Sequence, residues 1–221
     1  MPIRSFEGVS PLDNNVYFIY DEATRLTAIV DPTIFSEKLW KFVQDEGLVL
    51  QYIINTHGHF DHVYNNGWFK KQAPDAKLLY HPQDEEIVAS LSATAARWEM
   101  KPDPSPPADA PLQPGVNVMV GNVEVQVRFT PGHTPGGCSF YLPVEHAVIT
   151  GDTLFCNSIG RWDFPGGSLP SLLQSIDGQL MPLPDDTSVH PGHGQATTIG
   201  EERENNPFMH AAYRRQLGVD A

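Results

Sequence analysis

The stretch Thr56-His57-Gly58-His59-Phe60-Asp61-His62 places three histidines and an aspartate within six positions, directly after the apolar run Tyr52-Ile53-Ile54. Imidazole nitrogens and carboxylate oxygens are the ligands that zinc and neighbouring transition metals accept. At the end of a strand the first two histidines, two positions apart, face the same side. A helix that begins near Phe60 brings the aspartate and the third histidine round to the same place. Four ligands exceed the three that a catalytic metal with an open water position needs, so the stretch predicts two adjacent metals.

Three further candidate ligands come later in the chain, each after an apolar run and each beside a glycine: His133, Asp152 and His193. Glycine permits the close approach of backbones that a shared site requires. We therefore expect these side chains to meet the opening stretch in one site. The full set of candidate metal ligands is His57, His59, Asp61, His62, His133, Asp152 and His193.

In this order and context, the candidate ligands resemble those of the metallo-β-lactamase superfamily of hydrolases. The T-H-x-H-x-D-H signature is matched in full by residues 56–62, and the later histidine, aspartate and histidine are all present. The resemblance covers nearly the whole chain. It implies an α/β fold, a four-layer αβ/βα sandwich with a dinuclear site at one edge. A length of 221 residues fits one such domain over residues 1–221, with a short helical tail from about residue 199 to 221.

The resemblance also implies how the ligands are shared between two metals. It assigns the first metal to His57, His59 and His133. It assigns the second metal to Asp61, His62 and His193. Asp152 is the bridging ligand. We therefore expect two divalent ions per chain. Histidine and carboxylate ligands accept zinc, iron and manganese alike, and of these we favour zinc.

The mechanism expected of such a site rests on electrostatics. Two dications about 3.5–4 Å apart hold a bridging water as hydroxide at neutral pH. That hydroxide attacks a carbonyl carbon while one metal polarises the carbonyl oxygen. Asp61 is also expected to orient the nucleophile or to accept its proton. The catalytic candidates are therefore Asp61 and Asp152.

Residues 159–167 and 191–202 are similar to the glyoxalase II branch of the superfamily, the hydroxyacylglutathione hydrolases, in its short bacterial form. This resemblance implies hydrolysis of thioesters such as S-lactoylglutathione to glutathione and D-lactate. Arg161 falls where the family places a basic residue that pairs with a glutathione carboxylate, and a guanidinium can donate two parallel hydrogen bonds to such a group. Two positions after this arginine the family has a tyrosine, whereas this chain has Asp163. The large C-terminal helical domain of the family has no counterpart, and Arg214 and Arg215 are weak substitutes for its basic contacts.

Two other activities of the same fold stay open. Around residues 160–164 the chain also resembles persulfide dioxygenases, which bind one iron through two histidines and an aspartate. Here those ligands are His57, His133 and Asp152, and the second metal position stays empty. A lactonase or β-lactamase is a weaker alternative. A metal-bound regulatory or scaffold protein is a further one, although a binding partner has no need of an open coordination position.

The composition favours a small-molecule substrate over a nucleic acid or a membrane as the binding partner. A formal net charge of −13 argues against nucleic acid and against an anionic membrane surface. We find no secretory signal and no apolar run near 18 residues. The chain has only two cysteines, Cys138 and Cys156, which indicates reduced thiols and a cytoplasmic location. The sequence does not indicate an oligomeric state.

Several local patterns carry weaker predictions. Asp31, which precedes Pro32, is interpreted as a turn residue, and a position near the metals is the alternative. His190 is interpreted either as a neighbour that orients the ligands or as an alternative ligand. The proline-rich residues 101–111 predict an extended surface loop that joins no strand ladder. Helices are predicted at residues 36–46, from about 60 to 71, at 84–91 and at about 169–179.

Overall fold

The computed structural model describes residues 2–34 and 36–219, and two six-stranded sheets packed face to face form its centre. The run Val16-Tyr17-Phe18-Ile19 shows how they are buried, because all four side chains are inaccessible to solvent. Side chains alternate across a strand, so both faces of this one are covered. Tyr17 and Ile19 pack against the second sheet, whereas Val16 and Phe18 pack against helices.

The first sheet runs in chain order. Its strands are β1 (Ile3–Phe6), β2 (Val16–Tyr20), β3 (Leu26–Val30), β4 (Val49–Ile54), β5 (Lys77–Tyr80) and β6 (Ala110–Pro111). The first three strands are antiparallel, and β3 to β6 are parallel. Parallel neighbours need crossover connections, and helices supply them. They are α1 (Ser36–Asp45), α2 (Phe60–Val63), α3 (Asn66–Gln72), α4 (Glu85–Ala89) and α5 (Leu91–Ala96).

The second sheet comes from the rest of the chain. Its strands are β7 (Val118–Val120), β8 (Val123–Phe129), β9 (Cys138–Leu142), β10 (Ala147–Gly151), β13 (Ser188–Pro191) and β14 (Thr197–Thr198), in the spatial order 14-13-10-9-8-7. Only β10 and β13 are parallel. The chain between them forms a small hairpin of β11 (Leu154–Phe155) and β12 (Ser158–Ile159), then α6 (Leu169–Ser175).

Three apolar clusters define four layers. One fills the space between the sheets, with Ile54 and Val30 facing Phe140 and Ile149. A second joins the outer face of the first sheet to α1 and α3. The third joins the outer face of the second sheet to α6 and to the tail. The predicted α/β fold with a four-layer αβ/βα arrangement is therefore confirmed.

Strand ends from both sheets converge at one edge of the sandwich. The backbone N–H of Cys138 donates to the Thr56 carbonyl at 2.8 Å, which joins the end of β4 to the start of β9. The Tyr17 hydroxyl donates to the Pro191 carbonyl at 2.7 Å, which joins β2 to the end of β13. Hydrogen bonds between the two sheets therefore hold the loops that begin at this edge.

The structure differs from the sequence predictions at several elements. The predicted helix after residue 60 is two short helices, α2 and α3. Helix α5 was not predicted, and the expected helix at residues 84–91 begins as a 3-10 turn at Pro82–Asp84. The helix from residue 169 ends its α-helical part at Ser175 and continues as a π-helical turn, Ile176–Leu180.

The prediction that residues 101–111 join no ladder is wrong at their end. Ala110 and Pro111 pair with Leu79 and Tyr80 as the short edge strand β6. Proline is tolerated there because an edge strand needs donors on one side only. The ladder bonds come from residues 109 and 112, whose N–H groups donate to the Leu78 and Tyr80 carbonyls.

The predicted C-terminal tail contains two short helices, α7 (Ile199–Asn205) and α8 (Ala211–Gln216); residues 220 and 221 lie outside the described residues. Arg214 is buried, and its guanidinium donates to both carboxylate oxygens of Asp177 at 2.6 and 2.8 Å. Its Nε also donates to the Phe208 carbonyl. Arg214 therefore fastens the tail to the π-helical turn that follows α6, and the expectation that it substitutes for substrate contacts is wrong.

No helix within residues 2–34 and 36–219 combines the length and the apolar character needed to cross a lipid bilayer.

We expect Arg214→Ala to lower the free energy of unfolding by about 2 kcal/mol, because it removes charge-assisted hydrogen bonds and leaves the Asp177 carboxylate without its partner. Asp177 is 48% exposed, so water compensates for part of the loss. Urea denaturation followed by circular dichroism measures the change. Arg215→Ala, at an exposed position on the same helix, is the matched control and should change stability little. Equal effects of the two substitutions would contradict the role assigned to Arg214.

Candidate metal centre

The loop after β4 carries the opening motif to the convergent edge. His57 is buried, and His59 precedes the first residue of α2. Helix α2 then places Asp61 and His62 one turn further along the same side. The predicted strand-to-helix transition is confirmed at Phe60.

The first group of candidate ligands is His57, His59 and His133, whose donor atoms all lie within 4.8 Å of one another. Nδ1 of His59 is 2.8 Å from Nε2 of His133. His57 comes from the first sheet, whereas His133 lies between β8 and β9 of the second sheet. The two sheets therefore meet at this group, which we call set 1.

The second group is Asp61, His62 and His193, again with donor atoms within 4.8 Å. Nε2 of His62 lies 3.2 Å from Nε2 of His193 and 3.5 Å from Oδ2 of Asp61. His193 follows β13, so this group also joins both sheets. We call it set 2.

Asp152, directly after β10, lies between the two sets. Its Oδ1 is 3.4 Å from Nε2 of His62 in set 2. Its Oδ2 is 3.5 Å from Nε2 of His133 in set 1 and 3.6 Å from Nε2 of His193 in set 2. Gly192 makes room for it, because a Cβ at Gly192 would lie 2.3 Å from Oδ1 of Asp152. The structure thus brings all seven predicted side chains together.

The chemistry of the donors fits divalent metal ions. Imidazole nitrogens and carboxylate oxygens face one another at distances that leave no other protein group between them. Within residues 2–34 and 36–219, Nε2 of His57 and Oδ1 of Asp152 are buried without a hydrogen-bond partner. Buried polar atoms are rarely left unpaired, and a cation satisfies both. Each set supplies the three protein ligands typical of a catalytic metal.

Hydrogen bonds on the outer side of the rings hold the histidines in place. Nδ1 of His133 lies 2.7 Å from the Arg161 carbonyl, and Nδ1 of His193 lies 2.9 Å from the Leu12 carbonyl. A carbonyl only accepts, so each Nδ1 carries the proton and each Nε2 presents its lone pair to the site.

The titration behaviour of the ligands follows from burial and from mutual charge. Burial, together with the His133 imidazole, lowers the pKa of His59 to about 4, and burial holds the pKa of His57 well below its ordinary value. Burial opposes the charged form of Asp61, but the His62 charge outweighs it and keeps the pKa of Asp61 below its usual range. At neutral pH these three groups are therefore in the forms that bind metals.

His62 has the opposite tendency. Burial disfavours its charged form, but the carboxylates of Asp152, Asp61 and Asp31 outweigh burial and raise the pKa of His62 to about 10. The negative potential that favours a proton on this ring equally favours a metal cation. A cation bound by set 2 takes the place of that proton.

Asp31 contacts the ligand stretch, so the structure favours the alternative position near the metals over the turn interpretation. Its Oδ1 accepts the Thr56 N–H at 2.7 Å, and its Oδ2 accepts the Thr56 hydroxyl at 2.6 Å. Oδ2 also lies 3.0 Å from Nδ1 of His62. An aspartate at the end of a strand beside the ligand strand was the available signal, and the following proline favoured the turn interpretation instead.

Asn14 is a second contact that the sequence did not reveal. Its buried amide donates to Oδ2 of Asp61 at 2.9 Å, and its backbone forms an isolated bridge with His193. Nothing in the sequence singled it out, since it lies 47 positions from Asp61. His190, by contrast, lies in neither set. Its ring packs edge-on against Tyr17, with 5.5 Å between ring centroids, so it is not an alternative ligand.

A pocket of about 900 Å³ opens above the two sets. Its walls are largely apolar, and the side chains that contribute to them include Phe60, Ile87, Trp98, Phe155, Ile159 and Phe164. Arg161 also lines it, but Asp163 accepts two hydrogen bonds from its guanidinium at 2.9 and 2.7 Å. The guanidinium carbon lies 4.1 Å from the centre of the Phe164 ring. Arg161 thus lines the pocket while it is paired with the aspartate that departs from the family pattern.

Comparisons with known proteins agree with this geometry. Residues 9–193 match the family described as the metallo-β-lactamase superfamily. Hydroxyacylglutathione hydrolase GloC of Haemophilus influenzae is 33% identical over 209 residues, which cover 92% of this chain and 96% of that protein.

Two solved structures are similar over most of the chain. TTHA1623, in a di-iron-bound form, has a TM-score of 0.84 and 35% identity, and the match covers 93% of this chain and 99% of that one. ETHE1 from Myxococcus xanthus has a TM-score of 0.78 and 31% identity, covering 94% of this chain and 84% of that one. A family match over most of the chain, with both ligand sets formed in the matched region, leads to one conclusion: this chain belongs to the metallo-β-lactamase superfamily, and its paired ligand sets are the candidate site of a metal-dependent hydrolase.

Proposed function

We propose that this protein hydrolyses thioesters such as S-lactoylglutathione, releasing glutathione and D-lactate, with two divalent metal ions. One observation carries the proposal: two complete sets of three ligands lie side by side, with the Asp152 carboxylate between them. A mononuclear enzyme needs only one set. The similarity to GloC, a hydroxyacylglutathione hydrolase, supports the choice of thioester.

In this proposal set 1 holds one ion, set 2 holds the other, and Asp152 is a ligand of both. Two such ions activate a water molecule and polarise the substrate carbonyl when they are bound. Zinc is our first choice because it accepts these ligands. Iron and manganese also bind such ligands, and the similarity to a protein solved in a di-iron-bound form makes iron the second choice.

The protein's own side chains orient the reacting groups and accept a proton. Asn14 donates to Oδ2 of Asp61 and so fixes the plane of that carboxylate. Asp61 lines the pocket, where it is placed to orient the nucleophile or to accept its proton. The apolar walls around Phe164 and Phe155 keep bulk water from the reacting carbonyl. Cys138 is buried, and burial raises the pKa of its thiol well above the ordinary value, so it does not act as a nucleophile.

Two arginines line the pocket and support an anionic substrate. Arg161 carries the family's expected contact to a glutathione carboxylate, although Asp163 offsets its charge. Arg97, after α5, lines the pocket beside Trp98. Within residues 2–34 and 36–219 its guanidinium has neither a hydrogen bond nor an ion pair, so all its donors are available. We propose that Arg97 and Arg161 both attract the carboxylates of the thiol carrier.

A mononuclear iron persulfide dioxygenase is the second candidate. The similarity to proteins named ETHE1, one of which is described as a persulfide dioxygenase, favours it, and so does the sequence at residues 160–164. It would use His57, His133 and Asp152 for iron. The completeness of set 2, with its own outer hydrogen bonds, weighs against it. A lactonase or β-lactamase of the same fold ranks third. All three activities would act on a small-molecule substrate rather than on nucleic acid or a membrane. We also propose a cytoplasmic location, because Cys138 and Cys156 are both free thiols.

We expect the purified protein, reconstituted separately with zinc, iron or manganese, to contain two metals per chain and to hydrolyse S-lactoylglutathione. Metal analysis by mass spectrometry and release of free thiol measure the two properties. One iron per chain with oxygen uptake on glutathione persulfide would replace the proposal with the dioxygenase. Turnover of lactones or β-lactams without thioester cleavage would replace it with the third candidate.

We expect Asp152→Asn to reduce the metal content below two per chain, because a neutral amide is a poor bridging ligand. kcat for the thioester should fall by about a hundredfold or more, since loss of even an outer contact to a ligand costs about 10–100-fold. Asp186→Asn makes the same chemical change at an exposed carboxylate paired with His146, and it should leave both properties unchanged. A full complement of metals in Asp152→Asn would contradict the bridging role.

We expect Arg97→Ala and Arg161→Ala each to raise KM for S-lactoylglutathione severalfold with little change in kcat, because each removes a cation that attracts the carrier's carboxylates before the chemical step. The matched control is an uncharged thioester, S-lactoyl-N-acetylcysteamine, whose KM should not change. An arginine whose loss leaves KM unchanged for both thioesters has no part in substrate binding.

A further inference from the structure

Asp84 is a buried acidic residue outside both ligand sets. It ends the 3-10 turn Pro82–Asp84, directly before α4, and it is 0% exposed. A buried carboxylate needs compensation for the water that it loses. Asp84 receives that compensation from three donors rather than from an arginine or lysine.

Both carboxylate oxygens of Asp84 accept short hydrogen bonds. Oδ2 accepts the Gly58 N–H at 2.7 Å and the Thr134 hydroxyl at 2.7 Å. Oδ1 accepts the Gly136 N–H at 2.7 Å. Burial raises the pKa of Asp84, and the Thr134 hydroxyl and the two backbone donors oppose that rise. The three bonds together place the carboxylate in a single orientation.

The donors belong to the two loops that build set 1. Gly58 lies between His57 and His59, and Thr134 directly follows His133. One loop leaves the first sheet and the other leads into the second sheet. A single carboxylate therefore links the two parts of set 1 across the gap between the sheets.

The loops are shaped to admit this carboxylate. A Cβ on Gly136 would lie 2.7 Å from Cγ of Asp84, and one on Gly58 would lie 3.1 Å from its Cβ. Asp84 also begins the helical wall of the pocket, since Glu86, Ile87 and Ser90 follow it and line the opening. The same residue thus contacts both ligand loops and fixes the start of the substrate wall.

We propose that Asp84 is a positioning residue for set 1: it sets the distance between the His57–His59 loop and the His133 loop, and thereby the affinity of set 1 for its metal. The inference rests on the metal sites proposed above but not on any particular substrate. The alternative role is to stabilise the fold alone.

The test substitution is Asp84→Asn, studied in the full-length protein with zinc. The amide has the same shape but only one acceptor oxygen, so its NH₂ group must face either the Gly136 N–H or the two donors at Oδ2. We expect the zinc affinity of one of the two sites to fall by about 10–100-fold, the range for lost outer contacts to metal ligands. We expect the other site to keep its affinity. Stepwise competition with a chromophoric chelator measures both, and kcat should fall more than KM rises.

Asp21→Asn is the matched control. The Asp21 carboxylate also accepts hydrogen bonds from backbone N–H groups and from the Thr24 hydroxyl, and it also joins loops from both sheets. It follows the end of β2 opposite to the edge that carries the ligands. The Asp21→Asn substitution should lower the unfolding temperature and leave both zinc affinities unchanged. Thr134→Val removes one of the three donors and should weaken the same zinc site as Asp84→Asn, by a smaller factor. It remains informative if Asp84→Asn does not fold.

The outcomes separate this inference from the proposed function. Unchanged zinc affinities in Asp84→Asn, with only a lower unfolding temperature, would overturn the positioning role and leave the proposed function intact. An unchanged affinity in a folded Thr134→Val would count against the positioning role in the same way. A wild-type protein that binds no metal would instead overturn the metal sites themselves.

Discussion

The close approach of metal-binding atoms at one edge of the sandwich constrains the rest of this structure. Nδ1 of His59 lies 2.8 Å from Nε2 of His133, and Nε2 of His62 lies 3.2 Å from Nε2 of His193. Lone pairs at such distances repel unless a proton or a metal cation lies between them. His62 and His133 are buried, and His59 and His193 are only partly exposed, so water does little to relieve the repulsion. The fold must therefore hold the donors together, and a proton on His62, whose pKa is raised, relieves part of the repulsion when no metal cation is bound.

The protein meets this demand with hydrogen bonds behind the ligands. Carbonyl groups of Arg161 and Leu12 orient two of the histidines, and Asp31 orients a third. Asn14 holds the plane of the Asp61 carboxylate, and Asp84 links the two loops of set 1. These contacts come from both sheets, so the ligand geometry depends on how the sheets pack. The shared core between the sheets, rather than any one loop, is what fixes the positions of the candidate ligands.

The pocket above the ligands contains fewer fixed polar contacts than the two ligand sets. The pocket walls are mainly apolar, and its two arginines are exposed side chains on flanking elements. In a chain of net charge −13, even these few cations would matter for the anionic substrate proposed above. In that proposal, the pairing of Arg161 with Asp163 limits how strongly the guanidinium attracts a carboxylate, which would leave a larger part to Arg97.

The sequence by itself indicated the fold class, through its resemblance to the superfamily, and singled out the seven candidate ligands. Four of them stand in one short stretch after an apolar strand, and the other three each follow an apolar run beside a glycine. These patterns involve residues that are close together in the chain, so they can be recognised from the sequence alone. The roles of Asp31, Asn14 and Asp84 were decided only by tertiary structure, since each acts on a partner at least 25 positions away in the chain. An aspartate at a strand end or before a short helix looks the same whether it caps a turn or supports a metal ligand. Only the packing of one sheet against the other brings such a residue to its partner.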